Sequence, residues 1–126
     1  MKRIWIALAI LLAILAGTLA HSFYLAGFTR NLTVLLEQAE VHAEQEDWET
    51  AAKLTQDAYD RWQKKDLYLH ITLRHDETDA IHIGLQEVAE FIQCKEGGEY
   101  SAANARLIAN LELMVEEEQL SLKNVL

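Results

Sequence analysis

The sequence predicts an all-α protein: an N-terminal transmembrane helix that continues into a small antiparallel bundle of four helices, paired as two αα-hairpins in a tetratricopeptide-like way. Three observations lead there. Residues 4–29 carry no charged side chain, and Lys2 and Arg3 stand immediately before them. The chain has no proline, and beyond that stretch its only glycines are Gly84, Gly97 and Gly98, so helix breakers are scarce. Downstream, apolar residues recur every three or four positions, the period of one helical face.

The uncharged stretch is 26 residues long, more than the ~20 that a helix needs to cross ~30 Å of hydrocarbon. A helix pairs its backbone polar groups within itself, as lipid requires. Trp5 at one end and Phe23, Tyr24 and Phe28 at the other fit interfacial aromatic belts. Lys2, Arg3 and the terminal amine outweigh Arg30, so the positive-inside bias puts the N-terminus in the cytoplasm. The expected organisation is an anchor over 1–30 and an acidic, extracytoplasmic helical domain over 31–126, on a single-pass protein of the cytoplasmic membrane. A cleaved signal peptide is the competing reading, because Thr18-Leu19-Ala20 loosely resembles a small-x-small cleavage site. Against it, apolar character resumes at Phe23, Tyr24, Leu25 and Phe28 with no turn signal. His21 is an ionisable group near the outer end of the span, a functional candidate or a residue that simply reaches the interface.

The elements follow in order. Leu25, Phe28, Leu32, Leu35, Leu36, Ala39 and Ala43 continue the anchor, predicting one helix from about residue 3 to about 45. Asp47 caps the second, whose face is Trp48, Ala51, Ala52, Thr55, Ala58, Tyr59 and Trp62. Leu69 and Leu73 extend that face to about residue 75, with a bend near 65, and leave Tyr68 and Ile71 off the stripe. The third helix follows the acids of 75–79, which suit a helix start. It carries Ile81, Leu85, Val88, Ala89 and Ile92 and ends near Cys94, where Gly97-Gly98 supplies a stop and a turn. The fourth runs from about Glu99 to Leu120 on Tyr100, Ala103, Leu107, Ile108, Leu111, Met114 and Val115, with fraying or a break before Ser121. Two helix openings resemble each other: Asp47-Trp48-Glu49-Thr50-Ala51-Ala52 and Glu99-Tyr100-Ser101-Ala102-Ala103-Asn104. Their offset of 52 is far from the ~34 of tetratricopeptide arrays, so they predict two hairpins in one bundle rather than a solenoid.

All 20 acids and eight of the 11 Lys and Arg fall within 31–126, leaving that part at −12. Such a charge excludes nucleic acid as a partner and disfavours lying flat on anionic lipid. Cys94 is the single cysteine, so no internal disulfide forms; it reads as helix filler, with an intermolecular bridge as the alternative. The densest polar cluster is His70, Arg74, His75, Asp76, Glu77, Asp79 and His82. Positions 75, 79 and 82 share a helical face, and two imidazoles with a carboxylate suit Zn²⁺. A helix break within 75–79 would undo that stacking, and no HExxH or CxxC spacing supports it; solvated caps are the simpler account. Glu37, Glu40 and Glu44 share a face and read as solvated. No nucleophile elbow or phosphate loop is present. The expectation is therefore no enzyme activity, no cofactor and no metal. What remains is a membrane-anchored interaction or scaffold protein that meets the bilayer through its first helix and an envelope partner through its head. Trp62, Tyr68 and His70 are the contact candidates. Self-association through the first helix is a second partner reading. A ligand- or ion-sensing bundle with a His-rich hinge is the alternative function.

Taken together, the start MKRIWIALAILLAILAG, the central LEQAE and DWETAA, the segment YLHITLRHDETD and the tail EYSAANARLIANLELMVEEEQLSLKNVL resemble domain-of-unknown-function family 4363 over nearly the whole chain. The resemblance implies a short bacterial protein of spore-forming Gram-positive organisms, with one N-terminal span and an exported acidic helical remainder. Some members are encoded beside small multi-span membrane proteins, which implies a membrane partner. It carries over no catalytic residue.

Overall fold

Among the described residues four long α-helices follow one another: α1 (Lys2–Glu44), α2 (Trp48–Lys64), α3 (His75–Cys94) and α4 (Gly97–Val125). No strand occurs among the described residues. The computed structural model describes every residue except Asp66, Leu67, His70, Thr72, Arg74 and Leu126, and all their side chains but those of His75, Leu122 and Val125.

α1 is unbroken over 43 residues, about 65 Å at 1.5 Å per residue. Among the described residues it is the one helix long and apolar enough to cross a membrane. Its halves differ. From Lys2 to Ala20 its side chains are exposed apart from a half-buried Leu15. From Leu25 on it buries Leu25, Thr29, Leu32, Leu36, Ala39 and Ala43, alternating steps of four and three. The other helices bury residues in the same rhythm: Ala51, Thr55, Ala58 and Trp62 on α2; Thr78, Ile81, Leu85, Val88 and Ile92 on α3; Tyr100, Asn104, Leu107, Leu111 and Met114 on α4. A heptad rhythm on every helix favours shallow-angle, knobs-into-holes packing. α1 packs on α2 and α4, and α3 packs on α4 and α2, so the helices form a ring around one core.

The packed unit begins near His21, earlier than the boundary at residue 30 expected from charge. Leu25 and Thr29 are already buried among the other helices. Charge marks where the sequence becomes polar, whereas packing starts where α1 first finds neighbours.

Three local expectations are corrected. α2 ends at Lys64, with the Lys65 N–H turned back to Trp62 O at the bend expected near 65; Tyr68, Leu69 and Ile71 beyond it are again helical, but not as an uninterrupted α2. α3 starts at His75, so positions 75, 79 and 82 do share one helix. The break expected before Ser121 is absent, since α4 continues to Val125.

The turns α1–α2 and α3–α4 are built alike. Asp47 N–H bonds to His42 O and Glu46 N–H to Ala43 O; Glu96 N–H bonds to Phe91 O and Lys95 N–H to Ile92 O. Both are Schellman motifs, in which the residue after the cap takes a left-handed conformation. Those residues are Glu46 (φ 62°) and Lys95 (φ 57°). Gly97 and Gly98, expected to stop α3, have no positive φ and instead open α4. Gly84 matters for another reason: a Cβ there would lie 2.8 Å from Leu107 Cδ1, so its hydrogen lets α3 and α4 approach closely.

Candidate functional site

Three places on the head concentrate polar and aromatic groups. The first is the end that carries both Schellman turns. The two similar helix openings meet there, with the Trp48 and Tyr100 rings edge to face at 5.9 Å. Asp47 caps α2 by accepting a bond from Thr50 N–H at 3.3 Å, and His42 Nδ1 donates to its other oxygen at 3.2 Å. Thr50, and then His42, hold the Asp47 carboxyl below its ordinary range. Beside this turn Glu40 Oε1 accepts from Ser101 Oγ at 3.3 Å and from Asn104 Nδ2 at 3.5 Å; Nδ2 also donates to Leu36 O at 3.1 Å. Asn104 is buried, and its Oδ1 has no hydrogen-bond partner among the described residues. A polar residue at a core heptad position fixes register between helices. Burial, and then the Glu40 carboxylate, push the Tyr100 hydroxyl up, so it stays neutral.

The second place is a collar at the opposite end, where the exposed half of α1 begins. His21 Nδ1 meets the Tyr68 hydroxyl, and its Nε2 lies 3.4 Å from Glu118 of α4 without hydrogen-bond alignment. Tyr24 packs edge to face on Tyr68 at 5.7 Å, and Lys65 Nζ stands 5.6 Å over the Tyr24 ring. Phe23 beside them is 78 % exposed. Thus α1, the α2–α3 connection and α4 are tied together at one level.

The third place is a groove of about 970 Å³ between α2 and α3. Trp48, Thr55 and Tyr59 line it from α2 and Leu85, Ala89 and Ile92 from α3. At its turn end four carboxylates, Glu46, Asp47, Glu49 and Glu90, outnumber the single ammonium of Lys95. Chemically the groove offers apolar surface with a negative rim, a combination suited to recognition by burial and charge.

The residues singled out by sequence fall as follows. Trp62 is not a surface contact: it is 0 % exposed and packs on Phe28, with ring centroids 6.4 Å apart. It follows Ala51, Thr55 and Ala58 on the heptad seam, which turns it inward. Tyr68 keeps 38 % exposure while its ring packs against His21 and Tyr24. His70 lies outside the described residues. Of the set His75, Asp79 and His82, Asp79 is exposed, His82 packs on Tyr59 at 5.8 Å, and the His75 side chain lies outside the described residues. Among the described residues no group of three His, Cys, Asp or Glu could hold a metal. Glu37 and Glu44 are exposed, whereas Glu40 joins the α1–α4 network. Cys94 is exposed, with desolvation and then Glu90 holding its thiol above the ordinary range.

Sequence reasoning missed Asn104, the groove and the partners of His21. Asn104 had a signal, since 100, 104, 107, 111 and 114 keep the heptad rhythm. The groove had none, because its width depends on how α2 and α3 diverge.

The profile of the family described as a domain of unknown function (DUF4363) matches residues 19–125. Its start coincides with the level at which α1 enters the bundle. Comparison with curated proteins and with solved structures gives no match. The chain belongs to the DUF4363 family.

Proposed function

We propose that this protein is a membrane-anchored, non-enzymatic interaction module. Its head stands outside the cytoplasmic membrane and is presented to an envelope partner. One observation carries the reading: after Lys2 and Arg3, residues 4–20 form an exposed apolar rod that runs without a break into the packed half of α1. The rod rises about 26 Å, close to the ~30 Å of bilayer hydrocarbon. An exposed apolar rod of this size is strongly disfavoured in water, since each buried CH₂ is worth about 0.8 kcal/mol. The collar supports the same placement. Phe23, Tyr24 and Tyr68 with Lys64 and Lys65 suit the headgroup level, where aromatic rings and snorkelling ammoniums concentrate. Because α1 is continuous, the head is held rigidly to its anchor, with both Schellman turns pointing away from the lipid. In this reading α1–α2 and α3–α4 are two αα-hairpins with tetratricopeptide-like openings.

Cys94 supplies the test, being exposed on α3 and the only cysteine. Intact cells are treated at mildly alkaline pH with a membrane-impermeant maleimide, and their membranes are washed with carbonate. The proposal expects Cys94 to be labelled before permeabilisation and the full chain to stay in the membrane pellet. Labelling only after permeabilisation, or release by carbonate, contradicts it.

A further inference from the structure

We infer that the groove between α2 and α3 is a docking site for a basic amphipathic helix of the partner. The inference rests on the interaction reading above and names the surface and the chemistry that it takes.

Of the seams in the four-helix ring, that between α2 and α3 is the loosest, and there the groove opens. Ala52 and Ala89 are exposed along it on the two facing helices. Small residues on both sides let a third backbone come close, as at other tight helix contacts. Trp48 and Tyr59 are half-buried and add aromatic surface. A helix laid there anchors by apolar residues at three- and four-residue spacing.

Charge selects the partner. Glu46, Asp47, Glu49 and Glu90 surround the turn end against Lys95 alone, on a chain whose residues 31–126 stand at −12. A second copy of this acidic chain would meet like charge there, whereas Lys or Arg beside the apolar stripe would be attracted.

The test uses the full chain in its membrane. A photo-crosslinking residue replaces Gln56 or Gln86, which are exposed in the groove, and Glu112 on α4 serves as control. The inference expects Gln56 and Gln86, and not Glu112, to crosslink to a segment with apolar residues at helical spacing and Lys or Arg among them. Two variants sharpen it. Glu49→Lys with Glu90→Lys should reduce the crosslink about tenfold, the equivalent of 1.4 kcal/mol. Ala52→Trp should reduce it by filling the groove without altering charge. Both changes fall at exposed positions, and an unchanged helical circular dichroism spectrum shows the fold retained. No crosslink from the groove, a crosslink to lipid, to a second copy or to an uncharged or acidic segment, or a yield indifferent to both variants overturns the inference. A chain that is anchored and labelled at Cys94 yet silent in the groove refutes the docking site alone.

Discussion

Residues 2–20 and 21–44 belong to one unbroken helix, α1, yet they are organised by different rules. Beyond Lys2 and Arg3 the first half is apolar on every side and touches almost nothing of its own chain. The second half buries one heptad seam and turns Glu37, Gln38 and Glu44 to solvent. A helix hydrophobic all round belongs in an apolar surround, and an amphipathic one at the edge of a core. The comparison teaches that helix continuity and environment are separate properties. The backbone does not register the change at His21; only the periodicity of the side chains does.

Substitutions matched between the first half of α1 and the packed head put this to the test. The largest contrast is between tryptophans. Trp62→Ala removes a fully buried ring and should cost the head about 3–5 kcal/mol, read by chemical unfolding in detergent. Trp5 is 71 % exposed, and Trp5→Ala should leave the unfolding curve of the head unchanged. A second contrast uses glycines. Gly84→Val places bulk against Leu107 and should cost about 1–3 kcal/mol by overpacking. Gly17 has nothing of the protein within 4 Å of a Cβ, so Gly17→Val should leave head stability unaltered. If the two glycine variants behave alike, the contrast between the exposed half of α1 and the packed head is wrong.

Smaller effects lie at the far end of the head. Glu46 and Lys95 occupy left-handed conformations, which cost an L-residue roughly 1–2 kcal/mol. Glu46→Gly and Lys95→Gly should each raise stability, by about 1 kcal/mol, without affecting anchoring. The smallest concerns the α2 cap. The folded-state pKa of Asp47 is depressed, chiefly by Thr50. Its stabilising contribution is therefore present above the unfolded carboxyl pKa and is lost as pH falls through the lowered folded value. Asp47→Ala should melt a few degrees below the parent at neutral pH, and the gap should close in acid. A gap that widens on acidification contradicts the cap.

What could be read from sequence follows the same physics. The long α1 was legible because residues 2–44 hold no proline and only the isolated glycines Gly17 and Gly27. The apolar faces of α2, α3 and α4 were legible from their period. Trp62 was assigned to an apolar face and yet also taken as a surface contact, since period alone does not say how far a face is enclosed. The helix ends near 45 and 94 and the Asp47 cap were legible, but the residue that turns the chain after α3 was misassigned to Gly97-Gly98, because glycine is the usual sign of a left-handed residue and here Lys95 takes that role, as Glu46 does after α1. The groove, and the meeting of Trp48 with Tyr100, depend on distances between helices far apart in sequence, which no local pattern encodes.

The most direct test of the divided helix is to remove its first half. A chain of residues 21–126, purified without detergent, should be soluble, absent from membranes, and as helical and cooperative in unfolding as the head of the full chain. Aggregation, loss of cooperative unfolding, or continued membrane association of that fragment would contradict the account.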